Sequence, residues 1–233
     1  AGGAPEAGAG APSRLPLLLS CLAFSLIVWN LWQLDYTMAR SLRAVHVPWL
    51  ESAGNVGNRI GEGLTLTLFS LTLAGIGWWW PRASWAQAGL HGLLAQGVTA
   101  VVVNTLKHLI GRPRPRLMHG DSAMLGPSFQ SGLDSFPSGH SAATFAVATA
   151  MARHFPRGAA VFYGVACFVA ASRILRGSHF PTDTLVGATI GFLLGRIVTA
   201  PLAVWRRSLT EAVVLILPSV WACFALLWVA VHP

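Results

Sequence analysis

The 233-residue chain is 54% hydrophobic and only 10% charged, far below the roughly one-quarter charged content of a soluble domain. Its formal charge of +8 on so apolar a background points to phosphate and anionic-lipid contacts. It excludes nucleic-acid binding, because no polar domain is left to present a groove or stacking surface.

The charges are bunched, and the apolar runs between them are long enough to cross about 30 Å of hydrocarbon at roughly 20 residues each. Residues 1–13, rich in Ala, Gly and Pro, predict a disordered tail. Runs at 15–34, 63–80, 86–110, 139–151, 158–175 and 181–199 then predict an all-α, polytopic transmembrane bundle of six core helices within 14–207. A further run at 212–231 predicts an additional transmembrane helix within 208–233. No small-residue cleavage site follows the first run, so it reads as an anchor and not as a signal peptide.

After that run, Tyr36, Ala39, Leu42 and Val45 recur at helical spacing opposite Arg40 and Arg43. This fits either a helix lying in the interface or a solvated loop. Trp29, Trp32, Trp78, Trp79, Trp80 and Trp85 fall at span ends, where amphipathic rings anchor. His91 and Gln96 read as interhelical contacts. Cys21, Cys167 and Cys223 lie inside runs, in no metal-ligand spacing, and read as buried thiols. With the N-terminus inside, Arg14, Arg82, Arg153, Arg157, Arg206 and Arg207 fall on the cytoplasmic side. The charge bias is clean only once the remaining cations are assigned to function.

Those cations belong to three pieces. The first is Lys107…Arg114-Pro115, built on the sole lysine of the chain. Pro113 and Pro115 predict a helix break after Ile110 that folds Arg114 back. The second is Pro137-Ser138-Gly139-His140. Here Ser138 is a good N-cap, and the free N–H groups after it make an anion site that glycine lets a phosphate approach closely. The third is Ser172-Arg173, followed by His179 and Asp183. An arginine so near hydrocarbon needs a partner, and Pro181 is a natural first residue of the next helix. Asp183 in that helix's first turn can accept the second ring N–H of a histidine, fixing its tautomer. Asn104 is placed either to orient the Lys107 ammonium or to hydrogen-bond a neighbouring helix. On the predicted topology all three pieces meet the same, non-cytoplasmic face.

At full spacing the pieces resemble the Lys-x6-Arg-Pro, Pro-Ser-Gly-His and Ser-Arg-x5-His-x3-Asp motifs of the type-2 phosphatidic-acid-phosphatase superfamily. That group also holds soluble vanadium haloperoxidases and glucose-6-phosphatases. The resemblance implies that Lys107, Arg114, Arg173, Ser138 and Gly139 bind phosphate. It implies that His179, oriented by Asp183, attacks phosphorus to give a phosphohistidine, and that His140 protonates the leaving oxygen and later activates water. It also implies a membrane lipid phosphate as substrate (phosphatidylglycerophosphate, phosphatidic acid, undecaprenyl diphosphate or a lipid A phosphate). The expected location is a bacterial inner membrane with the site on the periplasmic side. No carboxylate cluster is present to hold magnesium, so neither metal nor cofactor is expected. A lipid phosphotransferase, or a protein that only binds lipid phosphates, would carry the same residues.

Overall fold

The computed structural model describes residues 15–43, 47–80, 82–117 and 126–201. The predicted tail at 1–13, the additional span at 212–231, Arg14, Arg206, Arg207 and Cys223 lie outside the described residues. Among the described residues there are seven α-helices: α1 (Leu15–Arg43), α2 (Pro48–Ile60), α3 (Gly63–Trp79), α4 (Ala83–Ile110), α5 (Gly139–His154), α6 (Ala159–Leu175) and α7 (Pro181–Val198). Each of the six expected core runs is a helix.

Local chemistry sets the boundaries that matter for the site. Gly111 ends α4 at φ 60°, the left-handed conformation glycine adopts freely, and Pro113 prevents further helix. Ser138 caps α5, its hydroxyl accepting from the Ser141 hydroxyl at 3.0 Å. Pro181 opens α7, and the Asp183 carboxylate accepts the Phe180 N–H at 2.9 Å.

Helix α5 sits centrally, packed by α4, α6 and α7. Its contact with α7 is unusually close because Gly187, Gly191 and Gly195 recur every fourth residue along the facing side. A Cβ on them would lie 2.5, 2.0 and 2.8 Å from the carbonyl oxygens of Ser138, Ala142 and Ala146. Small residues at a four-residue repeat let two membrane helices approach backbone to backbone, where dispersion replaces the missing hydrophobic drive. This holds the N-termini of α5 and α7 side by side, and the Ser138 N–H donates to the Asp183 carbonyl at 2.9 Å.

Leu18–Leu42, Ala83–Leu117 and Pro156–Leu175 are long and apolar enough to cross a membrane. A fourth span exists if α2 and α3, bent 53° at Gly61–Glu62, count as one. The chain is an integral membrane protein. Helices α5 and α7 are shorter or more polar than an isolated span, since they bury small and polar residues against each other and not against lipid.

Three expectations are corrected, the last being the burial of Cys167. Helix α1 runs nine residues beyond the expected end at 34, so 36–43 is neither a separate interfacial helix nor a loop. Asp35, one residue past that end, is fully buried and paired. The thirteen-residue α2, which packs on α6, was not anticipated. The interhelical roles of His91 and Gln96 hold: His91 Nδ1 lies 2.8 Å from His154 Nε2, and Gln96 bridges to α3. Cys21 is buried, whereas Cys167 faces outward.

Candidate active site

All eight motif residues singled out from the sequence lie at one end of the bundle. Lys107 closes α4, Arg114 lies in the following connection, and Ser138, Gly139 and His140 open α5. Arg173 closes α6, and His179 and Asp183 flank the start of α7. A Cβ on Gly139 would sit 3.8 Å from the Lys107 Nζ, so the cation and the free N-terminus of α5 border the same space. His140 is within electrostatic reach of Arg173, His179, Lys107 and Arg114.

The buried His179 ring donates or accepts through Nδ1 at 2.7 Å from the Ser135 carbonyl oxygen. A carbonyl only accepts, so Nδ1 carries the proton and Nε2 keeps its lone pair. The Asp183 Oδ2 is 3.6 Å from Nδ1, close enough to stabilise an imidazolium but too far for a hydrogen bond. The tautomer is therefore set by a backbone carbonyl, with the carboxylate as a neighbouring charge. Burial pushes the His179 pKa below its usual value, with the Asp183 charge opposing, so the ring is neutral near pH 7.

Asp183 is held on every side. Its Oδ2 accepts from the Ser135 hydroxyl at 2.6 Å and from Phe180 N–H; its Oδ1 accepts from Arg112 Nη1 at 2.5 Å. Arg112 is itself 2% exposed, with its guanidinium 3.9 Å above the Trp32 ring and 4.1 Å from the Phe180 ring. Cation–π contacts with two rings favour a planar, weakly hydrated cation. Its Nη2 reaches Asp35 of α1 at 2.8 Å, and Nη1 also donates to the Thr182 hydroxyl at 2.9 Å. Thr182 in turn donates through both N–H and hydroxyl to Asp35. One arginine thus joins α1 to the carboxylate behind His179.

The motif cations have their own frame. Arg114 forks onto Asp134, Nε to Oδ1 at 2.8 Å and Nη2 to Oδ2 at 2.5 Å, while the Lys107 Nζ is 3.7 Å from the same carboxylate. Burial tends to raise the Asp134 pKa, but the Arg114 hydrogen bonds and the charges of Arg114 and Lys107 outweigh it and hold it at about 2. Arg173 is 5% exposed and hydrogen-bonds Asn58 of α2 through Nη1. Its Nε is buried without a partner among the described residues. An orphaned charged donor beside a helix N-terminus suits an anion.

The sequence profile of the PAP2 superfamily matches residues 88–209, more than half of the chain. The chain belongs to the PAP2 superfamily. Among curated relatives, a lipid A 1-phosphatase of Rhizobium johnstonii is 36% identical over 95 residues, 40% of this chain and 39% of that protein. The phosphatidylglycerophosphatase B of Bacillus subtilis is 28% identical over 194 residues, 78% of this chain and 90% of that protein. The chain spans less than half the length of the lipid A 1-phosphatases it matches. Among solved structures, the transmembrane PAP2-type phosphatidylglycerolphosphate phosphatase of B. subtilis superposes with a TM-score of 0.58 at 26% identity, covering 79% of this chain and 93% of that one. Aquifex aeolicus LpxE gives 0.56 at 27% identity, covering 71% and 94%.

In this PAP2 protein the supporting residues were not anticipated from sequence. Arg112 is the buried link from Asp35 to Asp183. Asp134, Ser135 and Asn58 each fix a motif side chain. Among the described residues Asn104 hydrogen-bonds neither Lys107 nor another helix, and it lines a cavity beside His140. His108, adjacent to Lys107, is spent on the connection, with Nδ1 3.1 Å from the Ser128 carbonyl oxygen and its ring stacked on Phe129. His119 lies outside the described residues.

Proposed function

We propose that this PAP2 protein is a lipid phosphatase that removes a phosphoryl group from a membrane-embedded phosphate ester or diphosphate. The observation that carries the reading is the Nδ1–Ser135 contact of His179. It leaves Nε2 as the nucleophilic ring nitrogen, with Lys107 and Arg173 near enough for their charges to act on the ring.

In the proposed reaction Lys107, Arg114 and Arg173 neutralise the phosphate oxygens, helped by the Ser138 hydroxyl and the Gly139 N–H. The His179 Nε2 forms a bond to phosphorus as the bond to the leaving oxygen breaks. His140 delivers a proton to that oxygen, and the lipid alcohol departs. The imidazolium character gained by His179 is stabilised by Asp183. Water, deprotonated by His140, then attacks phosphorus, breaks the N–P bond and frees inorganic phosphate and His179. Fixed cations and N–H groups suit a transition state whose charge lies on the equatorial oxygens. Three side-chain cations supply the neutralisation a metal would otherwise give, so the reaction is proposed to proceed in EDTA. With the motif cations assigned to the site, the distribution of the remaining arginines supports a site on the periplasmic side of an inner membrane.

The test is phosphate release by the purified protein in EDTA over a lipid panel, with orthovanadate as inhibitor. His179→Ala should abolish release, and Arg173→Ala should lower the rate by about 10²–10³, as for loss of an oxyanion donor. Retained turnover in His179→Ala would refute the phosphohistidine. A single turnover that releases little free phosphate without an acceptor lipid, and transfers the phosphoryl group when one is present, would instead mark a phosphotransferase.

A further inference from the structure

The cations at the site are held by partners of unequal charge. Lys107 and Arg114 share the Asp134 carboxylate, and Arg112, behind the site, lies between Asp35 and Asp183. Arg173 pairs with no carboxylate among the described residues. Its Nη1 donates to a neutral group, the Asn58 Oδ1 of α2, and its Nε has no partner there. The charges that act on it are those of Arg176, Arg114 and Arg116, all cations. At 5% exposure, a guanidinium left without a counter-ion is costly.

The position of Asn58 follows from the packing of α2 on α6. A Cβ on Gly57 would lie 2.4 Å from the Ser172 Cβ, and one on Gly61 would lie 2.4 Å from Val169 Cγ1 and 3.3 Å from His140 Cδ2. Bare backbone on this face brings α2 against the last turns of α6, so Asn58 reaches the residue after Ser172. Arg173 in turn stands beside the nucleophile. Its carbonyl accepts the His179 N–H at 3.3 Å, and its charge acts on His179, His140 and Lys107.

A guanidinium only donates, so an amide oxygen or a carboxylate oxygen can hold it equally well. Aspartate has the size of asparagine and would relieve the buried charge, yet position 58 is an amide. With Asn58 in place, the three motif cations Lys107, Arg114 and Arg173 face one carboxylate, Asp134. Two positive charges are left to match a phosphate dianion.

We propose that Asn58 is a positioning residue that fixes the Arg173 guanidinium without neutralising it, reserving that charge for the substrate phosphate. This rests on the lipid phosphatase reading above. Stability and activity should therefore move in opposite directions here: a carboxylate at this position ties α2 more firmly to α6 and takes a cation away from the phosphate.

The experiment compares Asn58→Asp and Asn58→Ala with wild type in the full chain, reading kcat and KM for phosphate release, inhibition by orthovanadate, and Tm. Asn58→Asp should lower kcat/KM about 10- to 100-fold, as for a charged hydrogen bond withheld from the reacting phosphate. It should weaken orthovanadate inhibition about tenfold on the same grounds, while Tm holds or rises. Asn58→Ala frees the guanidinium without discharging it, and should lower Tm yet retain more activity than Asn58→Asp. Asn55→Asp makes the same change one turn away on α2, against Arg176, and should weaken orthovanadate inhibition less than Asn58→Asp does. An Asn58→Asp protein with wild-type kcat/KM overturns the proposal. So does one that loses activity only in step with Tm, or fails to fold, since the new ion pair should stabilise. A wild type that hydrolyses no lipid overturns the phosphatase reading. The rise in Tm given by orthovanadate, read without turnover, then decides the role of Asn58: a smaller rise in Asn58→Asp supports it, and an equal rise overturns it.

Discussion

Asp35→Asn tests whether α1 sets the nucleophile or merely packs beside it. The substitution keeps side-chain size and removes one charge from a buried Asp35–Arg112–Asp183 chain in which the carboxylates are fully buried and Arg112 is 2% exposed. Breaking a buried ion pair by removing one partner costs about 3–5 kcal/mol. The lower figure applies because Arg112 keeps Asp183 at 2.5 Å on its other nitrogen. Catalysis should suffer separately. Arg112 now gives its whole charge to Asp183, which weakens the field available to the imidazolium forming on His179, 3.6 Å away. For a residue acting through its neighbour, a loss of about 10- to 100-fold is the expected scale. It should appear in kcat with little change in KM, since no phosphate-binding cation is touched. Steady-state phosphate release gives the split, acid-quench trapping of the phosphohistidine shows slowed formation, and thermal unfolding reports the stability loss. Arg112→Lys should behave alike, because an ammonium cannot bridge both aspartates as the guanidinium fork does. A folded Asp35→Asn protein with wild-type kcat, or one whose defect lies wholly in KM, would sink the reasoning.

Other consequences are simpler. Because burial lowers the His179 pKa, the acid limb of kcat/KM assigned to it should lie below about pH 6.5, the unperturbed histidine value. Activity falls as pH drops through it and Nε2 loses its lone pair; a limb above that value in the pH–rate profile would contradict a buried neutral ring. Asp134, held at about 2, contributes its pairing above the usual carboxylate pKa and loses it only as pH falls through about 2. It should therefore not titrate in the working range. Asp134→Asn should raise KM and weaken orthovanadate inhibition about tenfold, while kcat changes less, because Arg114 and Lys107 lose their shared anchor. Gly191→Val would push a Cβ to 2.0 Å from the Ala142 carbonyl, and overpacking of this kind costs about 1–3 kcal/mol. Its Tm should drop, whereas Gly97→Ala, with nothing within 4 Å of the new Cβ, should not lower it.

The fold was legible where polarity or backbone chemistry leaves a mark. Six apolar runs correspond to α1 and α3–α7, and Ser138 and Pro181 mark the starts of the two helices that carry most of the site. Helix α2 escaped because its sequence is only weakly apolar, although its punctuation was present: Pro48 at the first position, Glu51 in the first turn, Arg59 in the last and Gly61 after it. Its two asparagines face the arginines at the C-terminal end of α6, Asn58 to Arg173 in the last turn and Asn55 to Arg176 at the cap. Their spacing of three puts both on one helix face, alongside Gly54 and Gly57, whose missing side chains admit Arg176 and Ser172.

The positions proposed to bind phosphate could be read from the motifs, but their supports could not be assigned in the same way. The Ser135 carbonyl that fixes the His179 tautomer belongs to the backbone and has no residue signature. The acidic partners did leave a trace, in their scarcity. The chain has four aspartates, and Asp121 lies outside the described residues. The other three, Asp35, Asp134 and Asp183, each hold an arginine at the site. In a chain this poor in acids, a carboxylate within or beside an apolar run must be paired to be tolerated, and the available partners are the arginines between Lys107 and Ser138. Asp35 interrupting an apolar stretch was thus a statement that α1 reaches the active centre. What the sequence could not supply was the choice among Arg112, Arg114 and Arg116. That choice is made by the break after Gly111, which turns Arg112 inward between Trp32 and Phe180 and leaves Arg114 facing Asp134.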